Sequence, residues 1–274
     1  MTLNCKGKLI DLTVPKVMGI LNITPDSFYD GGQHKNENAV LKHVELMLHQ
    51  GATFIDVGAY SSRPNADHVS EAHELKRILP IVNLILKEFP EVLLSIDTFR
   101  SQVAKQCIAA GAALVNDISA GKLDHNMLQT IADLHVPYIM MHMKGTPQTM
   151  QQQTNYDDII KDMLFYFSER IAAARQLGIV DIIVDPGFGF AKTLEQNYEL
   201  LNKLEHFKMI DKPVLVGVSR KSMIYKTLET SAKESLNGTS VLNTIALQKN
   251  ASILRVHDVK EAMECIKLVE SLNA

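Results

Sequence analysis

Nearly every short apolar run of this chain ends in a group that an apolar core would reject: Asn22, Asp56, Asp97, Asn116 with Asp117, His142, Asp185, Ser219 with Arg220 and Lys221, and Arg255 with His257. Two chemistries can be read from them. Asp97, Asn116, Asp185 and Lys221 suit a polar heterocycle that offers N–H donors and ring acceptors along one edge. A buried carboxylate is costly unless paired, so Asp97 and Asp185 demand partners such as an amino-pyrimidinone edge or Lys221. The second set suits an anion: Arg63 in "SSRP", Arg255 and His257, with Ser61 and Ser62 adding hydroxyls. Arg255 and His257 alternate along one run, which points them the same way. A phosphate or pyrophosphate is the natural occupant.

The sequence offers no protein cage for a transition metal. A Mg²⁺ that keeps most of its waters and rides on a diphosphate needs only one or two protein oxygens, and Asn22 Oδ1 is a candidate. The chain has no G-x-S-x-G, and group transfer driven by a leaving diphosphate fits it better than acyl chemistry. Taken one at a time, run-end Asp and Asn residues read as caps of helices or turns. Their recurrence is what argues for a shared pocket.

Eight elements must position these groups. The runs are VMGILN at 17–22, TFIDVG at 53–58, VLLSIDT at 92–98, ALVNDIS at 113–119, YIMMHM at 138–143, IIVDPG at 182–187, VLVGVS at 214–219 and ILRVH at 253–257. Continuous apolar runs of this length are what strands buried on both faces look like. Between them lie helical stripes, such as Val40, Val44 and Met47, and again Ile160, Met163, Leu164, Phe167, Ile171 and Ala174. Eight strand–helix units over 274 residues predict a TIM (β/α)8 barrel, in which all strand C-termini converge on one face. The rival, an open doubly wound sheet, lacks both G-x-G-x-x-G and G-x-x-x-x-G-K-[ST] here. A short N-terminal β-hairpin around Lys8–Asp11 is expected to close the barrel bottom. A final helix is expected after Asp258, which with Glu261 forms a capping-box-like start.

Composition bounds the rest. With 46% hydrophobic residues and no low-complexity linker, residues 1–274 read as one compact unit. A net charge of −3 gives no basic field for nucleic acid. Cys5, Cys107 and Cys265 are scattered, as ordinary thiols of a reducing compartment are. No targeting segment or apolar run of membrane length occurs, so a cytoplasmic protein without membrane partners is expected.

"GILNITPDSFYDGG", "SSRP", "SIDTFR", "VNDISAG", "MHMKGTPQTMQ", "DPGFGFAKT", "GVSRKSMI" and "RVHDV" together resemble the dihydropteroate synthase family. The likeness runs from about Val17 to the C-terminal helix. It implies condensation of 6-hydroxymethyl-7,8-dihydropterin diphosphate with p-aminobenzoate, giving dihydropteroate and pyrophosphate, in folate biosynthesis and at a sulfonamide target. By motif, Asp97, Asn116, Met140, Asp185 and Lys221 would hold the pterin, with Asp97, Asp185 and Lys221 serving catalysis. Asn22, Ser62, Arg63, Arg255 and His257 would hold the diphosphate, and Asn22 its Mg²⁺. Phe28, Pro64, Phe190, Lys221 and Ser222 would line the p-aminobenzoate pocket. The resemblance also implies a homodimer, and loops that fold over the site with Pro25 and Phe28 excluding water. One stretch departs from the family, whose glycine-glycine-glutamate-serine-threonine-arginine-proline-glycine is here Gly58-Ala59-Tyr60-Ser61-Ser62-Arg63-Pro64-Asn65. Tyr60 thus stands where a carboxylate is expected. A pterin-binding methyltransferase shares the barrel but has no use for an anion site of Arg63, Arg255 and His257. A non-catalytic pterin-binding paralogue would be signalled by loss of Asn22, Asp97, Lys221 or Arg255, and all four are present.

Overall fold

The computed structural model describes residues 1–23, 33–60 and 69–273. Two short antiparallel strands come first, β1 (Thr2–Cys5) and β2 (Lys8–Asp11), paired from Thr2 opposite Asp11 to Cys5 opposite Lys8. Strands and helices then alternate: β3 (Lys16–Asn22), α1 (Gln33–His49), β4 (Phe54–Gly58), α2 (Glu71–Glu88), β5 (Leu93–Asp97), α3 (Ser101–Ala109), β6 (Leu114–Asp117) and α4 (Met127–Leu134). The second half runs β7 (Tyr138–Met141), α5 (Ile159–Gln176), β8 (Ile182–Asp185), α6 (Leu194–Asn202), β9 (Leu215–Val216), α7 (Ser222–Thr227), α8 (Leu236–Gln248), β10 (Ile253–Val256) and α9 (Val259–Asn273).

All eight runs read from the sequence are strands of one parallel sheet, in the order β8-β7-β6-β5-β4-β3-β10-β9. A parallel bridge between Val184 and Val214 joins the two edges, supported by the Val184 N–H bond to the Pro213 carbonyl at 2.9 Å. The sheet therefore closes into the expected barrel.

Alternation along the strands builds two apolar layers. Residues such as Val17, Val57, Ile96, Tyr138, Met140 and Val184 join the packing between sheet and helices. Their neighbours Met18, Phe54, Leu114, Ile139, Ile183 and Ile253 form a separate cluster inside the barrel, together with Leu3, Cys5, Ile10 and Leu12 of the hairpin. The hairpin is thus a plug in the barrel floor, and each large apolar side chain buried there contributes about 1.5–3 kcal/mol.

Local signals fix the helix starts near the site. Asp158 accepts from the N–H groups of Ile160 and Lys161 at the start of α5, and Thr193 with Gln196 makes a reciprocal capping box on α6. Asp258 behaves differently from its sequence reading: both its carboxylate oxygens accept from Arg220, at 2.8 and 2.7 Å. It ties α9 to the end of β9.

Candidate active site

Strand register sets the height of the first group. Asn22 pairs with Gly58, Gly58 with Asp97, and Asp97 with Asn116, so four residues from β3 to β6 share one level at the C-terminal rim. A Cβ at position 58 would lie 3.3 Å from that of Asp97, so glycine gives that carboxylate its room. Arg255 reaches across from β10. Its Nε donates to Asp56 Oδ2 at 2.6 Å and its Nη2 to Asp97 Oδ2 at 2.8 Å. Asn116 Nδ2 donates to the same Asp56 oxygen at 3.1 Å. Asp56 is wholly buried, and its Oδ1 has no partner among the described residues, whereas the Arg255 and Asp97 side chains are 19% and 18% exposed.

The electrostatics follow from one guanidinium between two carboxylates. Burial pushes the Asp97 carboxyl up to about 7, the Asp56 charge adds to the rise, and Arg255 opposes it. Burial likewise raises Asp185, against the Lys221 ammonium and the Gly187 N–H, which donates to Asp185 Oδ1 at 2.7 Å. Position 187 admits only glycine: its φ is +69°, and a Cβ would meet the His142 carbonyl at 2.3 Å.

Lys221 stands at the start of α7, with Ser222 as the first helical residue. Its Nζ donates to the Phe188 carbonyl at 2.5 Å and sits 5.1 Å from the centroid of the Phe190 ring. Burial lowers its pKa to about 8, with Asp185 resisting. Position 217 lies between the two cations, since a Cβ there would be 3.8 Å from Arg255 Cβ and 3.9 Å from Lys221 Nζ. Asp97, Asn116, Asp185, Lys221, Arg255 and Phe190 therefore line one mouth. His257 completes it: its Nδ1 is 3.0 Å from Ser219 Oγ, which also receives the His257 N–H at 3.1 Å.

Several sequence expectations are corrected. Met140 does not face the pocket; it is fully buried between sheet and helices with Tyr138. Strand alternation hands the pocket side to Met141, which clusters with Ile118, Met143, Met150 and Ala191 against Phe190. His142 turns outward as well, onto the ring of Tyr166 at 4.8 Å. Asp117 is spent on structure, accepting from Tyr138 OH, Ser119 and Gly121. Arg220, in left-handed backbone at φ 55°, forms a two-pronged pair with Asp258 that ties the strand ends carrying Lys221 and His257. Asp56, a run-end acid assigned to neither the heterocycle nor the anion, is the residue that joins Arg255 to Asn116. Phe28, Ser62, Arg63 and Pro64 lie outside the described residues, as do Pro25, Ser61 and Asn65.

Tyr60, the departure from the family pattern, has a defined seat. Its ring meets Phe99 edge-on at 5.1 Å, Arg100 lies over it at 5.3 Å, and its hydroxyl receives Gln148 Nε2 at 3.0 Å. Arg100 also donates to the Val69 carbonyl and pairs at 2.5 Å with the buried Glu74. A cleft of about 1030 Å³ opens on the other side of β7, lined by Lys122, His142, Lys144 and Tyr166. It holds none of the clustered acids.

Among the described residues no three His, Cys, Asp or Glu side chains gather to hold a metal ion. The donor at the rim is the amide oxygen of Asn22, exposed at the end of β3. One neutral oxygen suits a hydrated Mg²⁺ carried by an anionic ligand, and suits a transition metal poorly.

A closed parallel barrel with buried acids, an amide and two cations at the strand C-termini defines a barrel enzyme for polar, anionic ligands. The family model described as pterin binding enzyme matches residues 18–257. The dihydropteroate synthase of Escherichia coli K12 is 44% identical over 273 residues, spanning 99% of this chain and 96% of its own length. A Yersinia pestis dihydropteroate synthase, solved as a sulfonamide drug complex, superposes with a TM-score of 0.93 at 41% identity, covering 100% of this chain and 99% of that one. A Xanthomonas albilineans dihydropteroate synthase with 4-aminobenzoic acid gives 0.92 at 36% identity, covering 100% and 98%. The chain belongs to the pterin-binding enzymes and, within them, to the dihydropteroate synthase family.

Proposed function

We propose that the chain condenses 6-hydroxymethyl-7,8-dihydropterin diphosphate with p-aminobenzoate, releasing pyrophosphate and forming 7,8-dihydropteroate for folate synthesis. The observation that carries the residue roles is the single mouth in which Asp97, Asn116 and Asp185 face Lys221 and Arg255. Its acceptors match an amino-pyrimidinone edge, and its cations match a diphosphate.

In this reading Asp97, Asn116, Asp185 and Lys221 bind the pterin, with Met141 as the apolar contact in place of Met140. Arg255 and His257 receive the diphosphate together with Ser62 and Arg63. With Nε and Nη2 on the two carboxylates, Arg255 offers Nη1 to the anion. Cleavage of the bond between the pterin methylene and the diphosphate oxygen leaves a cation delocalised into the ring, which the Asp97 and Asp185 carboxylates stabilise while Arg255 stabilises the departing anion. The neutral aryl amine then forms the C–N bond and loses its proton to solvent or pyrophosphate. A Mg²⁺ at Asn22 would neutralise further charge on the leaving group. Phe190 and the stem of Lys221 flank the p-aminobenzoate ring, with Phe28 and Pro64, and Ser222 meets its carboxylate at the start of α7. A sulfonamide would compete at the same place, as the Yersinia complex suggests.

The chain is read as a cytoplasmic homodimer. No helix of the described residues is long and apolar enough to cross a membrane, and Val241 of α8 with Leu268 and Leu272 of α9 are exposed apolar side chains suited to a second copy. Sedimentation of the parent and of Leu268→Asp tests this: a monomer for both would remove the dimer.

The activity test is pyrophosphate release from the dihydropterin diphosphate, with and without p-aminobenzoate and with and without Mg²⁺. Release dependent on both, with dihydropteroate as product, is expected. Tight pterin binding without release would favour a non-catalytic pterin-binding protein.

A further inference from the structure

Lys192 is a lysine with almost no access to water, 4% exposed, and the mechanism above makes no use of it. Among the described residues no carboxylate bonds its ammonium. Its Nζ donates instead to the carbonyls of Gly187 at 2.9 Å and Phe190 at 3.0 Å, and lies 3.2 Å from Nδ1 of His142. Burial lowers the Lys192 pKa to about 7, with Asp185 resisting, and the three acceptors saturate the three donors of its ammonium form. Burial drives His142 well below its ordinary pKa, so the ring is neutral and can present Nδ1 as an acceptor.

The two carbonyls bound by Lys192 belong to the ends of one tight turn. That turn uses left-handed backbone that glycine adopts freely, with φ of 69° at Gly187 and 81° at Gly189, and Ala191 just beyond it has φ 48°. Within it the Phe190 N–H bonds the Gly187 carbonyl at 3.1 Å, and the Gly189 N–H leaves for Asn197 Oδ1 at 2.6 Å. Between the tied ends sits the Phe188 carbonyl, the acceptor for Lys221 Nζ at 2.5 Å, and at one end is the Phe190 ring beneath that same ammonium.

We propose that Lys192 is a positioning residue of the active site: its buried ammonium pins residues 187–190 from below, so that the Phe188 carbonyl and the Phe190 ring hold Lys221 in working register. His142, on the helix side of β7, is the third leg of that support. The inference rests on the assignment of Lys221 and Phe190 to the reaction. It adds that their geometry is set by a residue that touches neither substrate.

The test compares Lys192→Met, which keeps length and loses the donors, with His142→Leu and Lys221→Ala. Kinetics are read per folded protein, with thermal melting as control. For Lys192→Met, kcat is expected to fall roughly 10- to 100-fold, the scale of an ångström-level misplacement, and KM for p-aminobenzoate is expected to rise more than KM for the pterin diphosphate. A ¹⁹F-labelled Phe190 signal should shift or broaden in step. His142→Leu, with one leg lost, should show the same pattern at smaller amplitude, and it decides the matter if Lys192→Met does not fold. A lower melting temperature with unchanged kcat, KM and ¹⁹F signal would reduce Lys192 to a structural residue and overturn the proposal. Full activity of Lys221→Ala would instead overturn the underlying assignment, so the two failures can be told apart.

Discussion

Arg255 Nη2 lies 2.8 Å from Asp97 Oδ2, so a residue assigned to the anion and a residue assigned to the heterocycle are partners in one ion pair. Asp56 stands behind both, bound to Arg255 Nε at 2.6 Å and to Asn116 at 3.1 Å. Removing one partner of a buried pair costs about 3–5 kcal/mol, because the other charge stays behind. Asp56→Ala is therefore expected to lower the melting temperature and to weaken pterin binding together. Asp56→Asn, which keeps an acceptor, should retain more of both. Melting curves and calorimetric titration with a pterin check this, and an Asp56→Ala protein with parental affinity would sever the link.

Arg255→Ala should weaken binding of the pterin diphosphate far more than binding of the free pterin. Lys221→Ala should leave the fold intact and lower turnover strongly. Equal losses for the two ligands in the first case would put the anion elsewhere. Steady-state kinetics decide the second.

The pH dependence has two opposite signs. An acid whose folded value is raised, as Asp97 is from 3.8 to about 7, contributes stability that is complete below its unfolded value and lost as pH rises through about 7. The pterin edge, in contrast, needs the carboxylate. Affinity for a pterin is thus expected to rise between pH 5 and about 8, while the share of stability from this acid is lost earlier, between about pH 4 and about 7. Asp185 is raised as well and should add to both trends. Titration across that range should give a limb that flattens in Asp97→Asn; a flat parental profile would contradict it.

Glu74 is fully buried and its charge is met by Arg100 and by Thr98 Oγ1, at 2.5 and 2.7 Å. Arg100→Leu is expected to cost about 3–5 kcal/mol for that reason. Arg100→Leu with Glu74→Leu should recover part of the loss. Chemical denaturation measures both, and an additive double variant would show that the pair is not coupled.

The barrel was legible because buried parallel strands are continuous apolar runs, and eight of them alternate with helical stripes. The same continuity hid facing. In "YIMMHM" every position is apolar or ambiguous, so nothing in the run distinguishes Met140, packed under helices, from Met141, turned to the pocket. Asp56 was visible as a run-end acid, but only closure of the sheet brings it to Arg255, 199 positions away. Tyr60 read as a lost carboxylate because its partners Phe99, Arg100 and Gln148 come from other loops. Asp258 had the spacing of a cap, and the competing claim of Arg220 lies across strands. Asp97, Asp185 and Lys221, picked because chemistry alone demanded a partner for each, do come together at one rim.

The strand side chains that fill the lumen, Met18, Phe54, Leu114 and Ile139 among them, with Leu3, Cys5, Ile10 and Leu12 of the hairpin beneath, make the barrel a cup rather than a pipe. Every molecule that enters must leave by the same rim, so product cannot be pushed out ahead of incoming substrate. Vacating the rim becomes part of each turnover. The chain is also divided by function along its axis: alterations at the base should register as lost heat tolerance, and alterations at the lip as lost turnover.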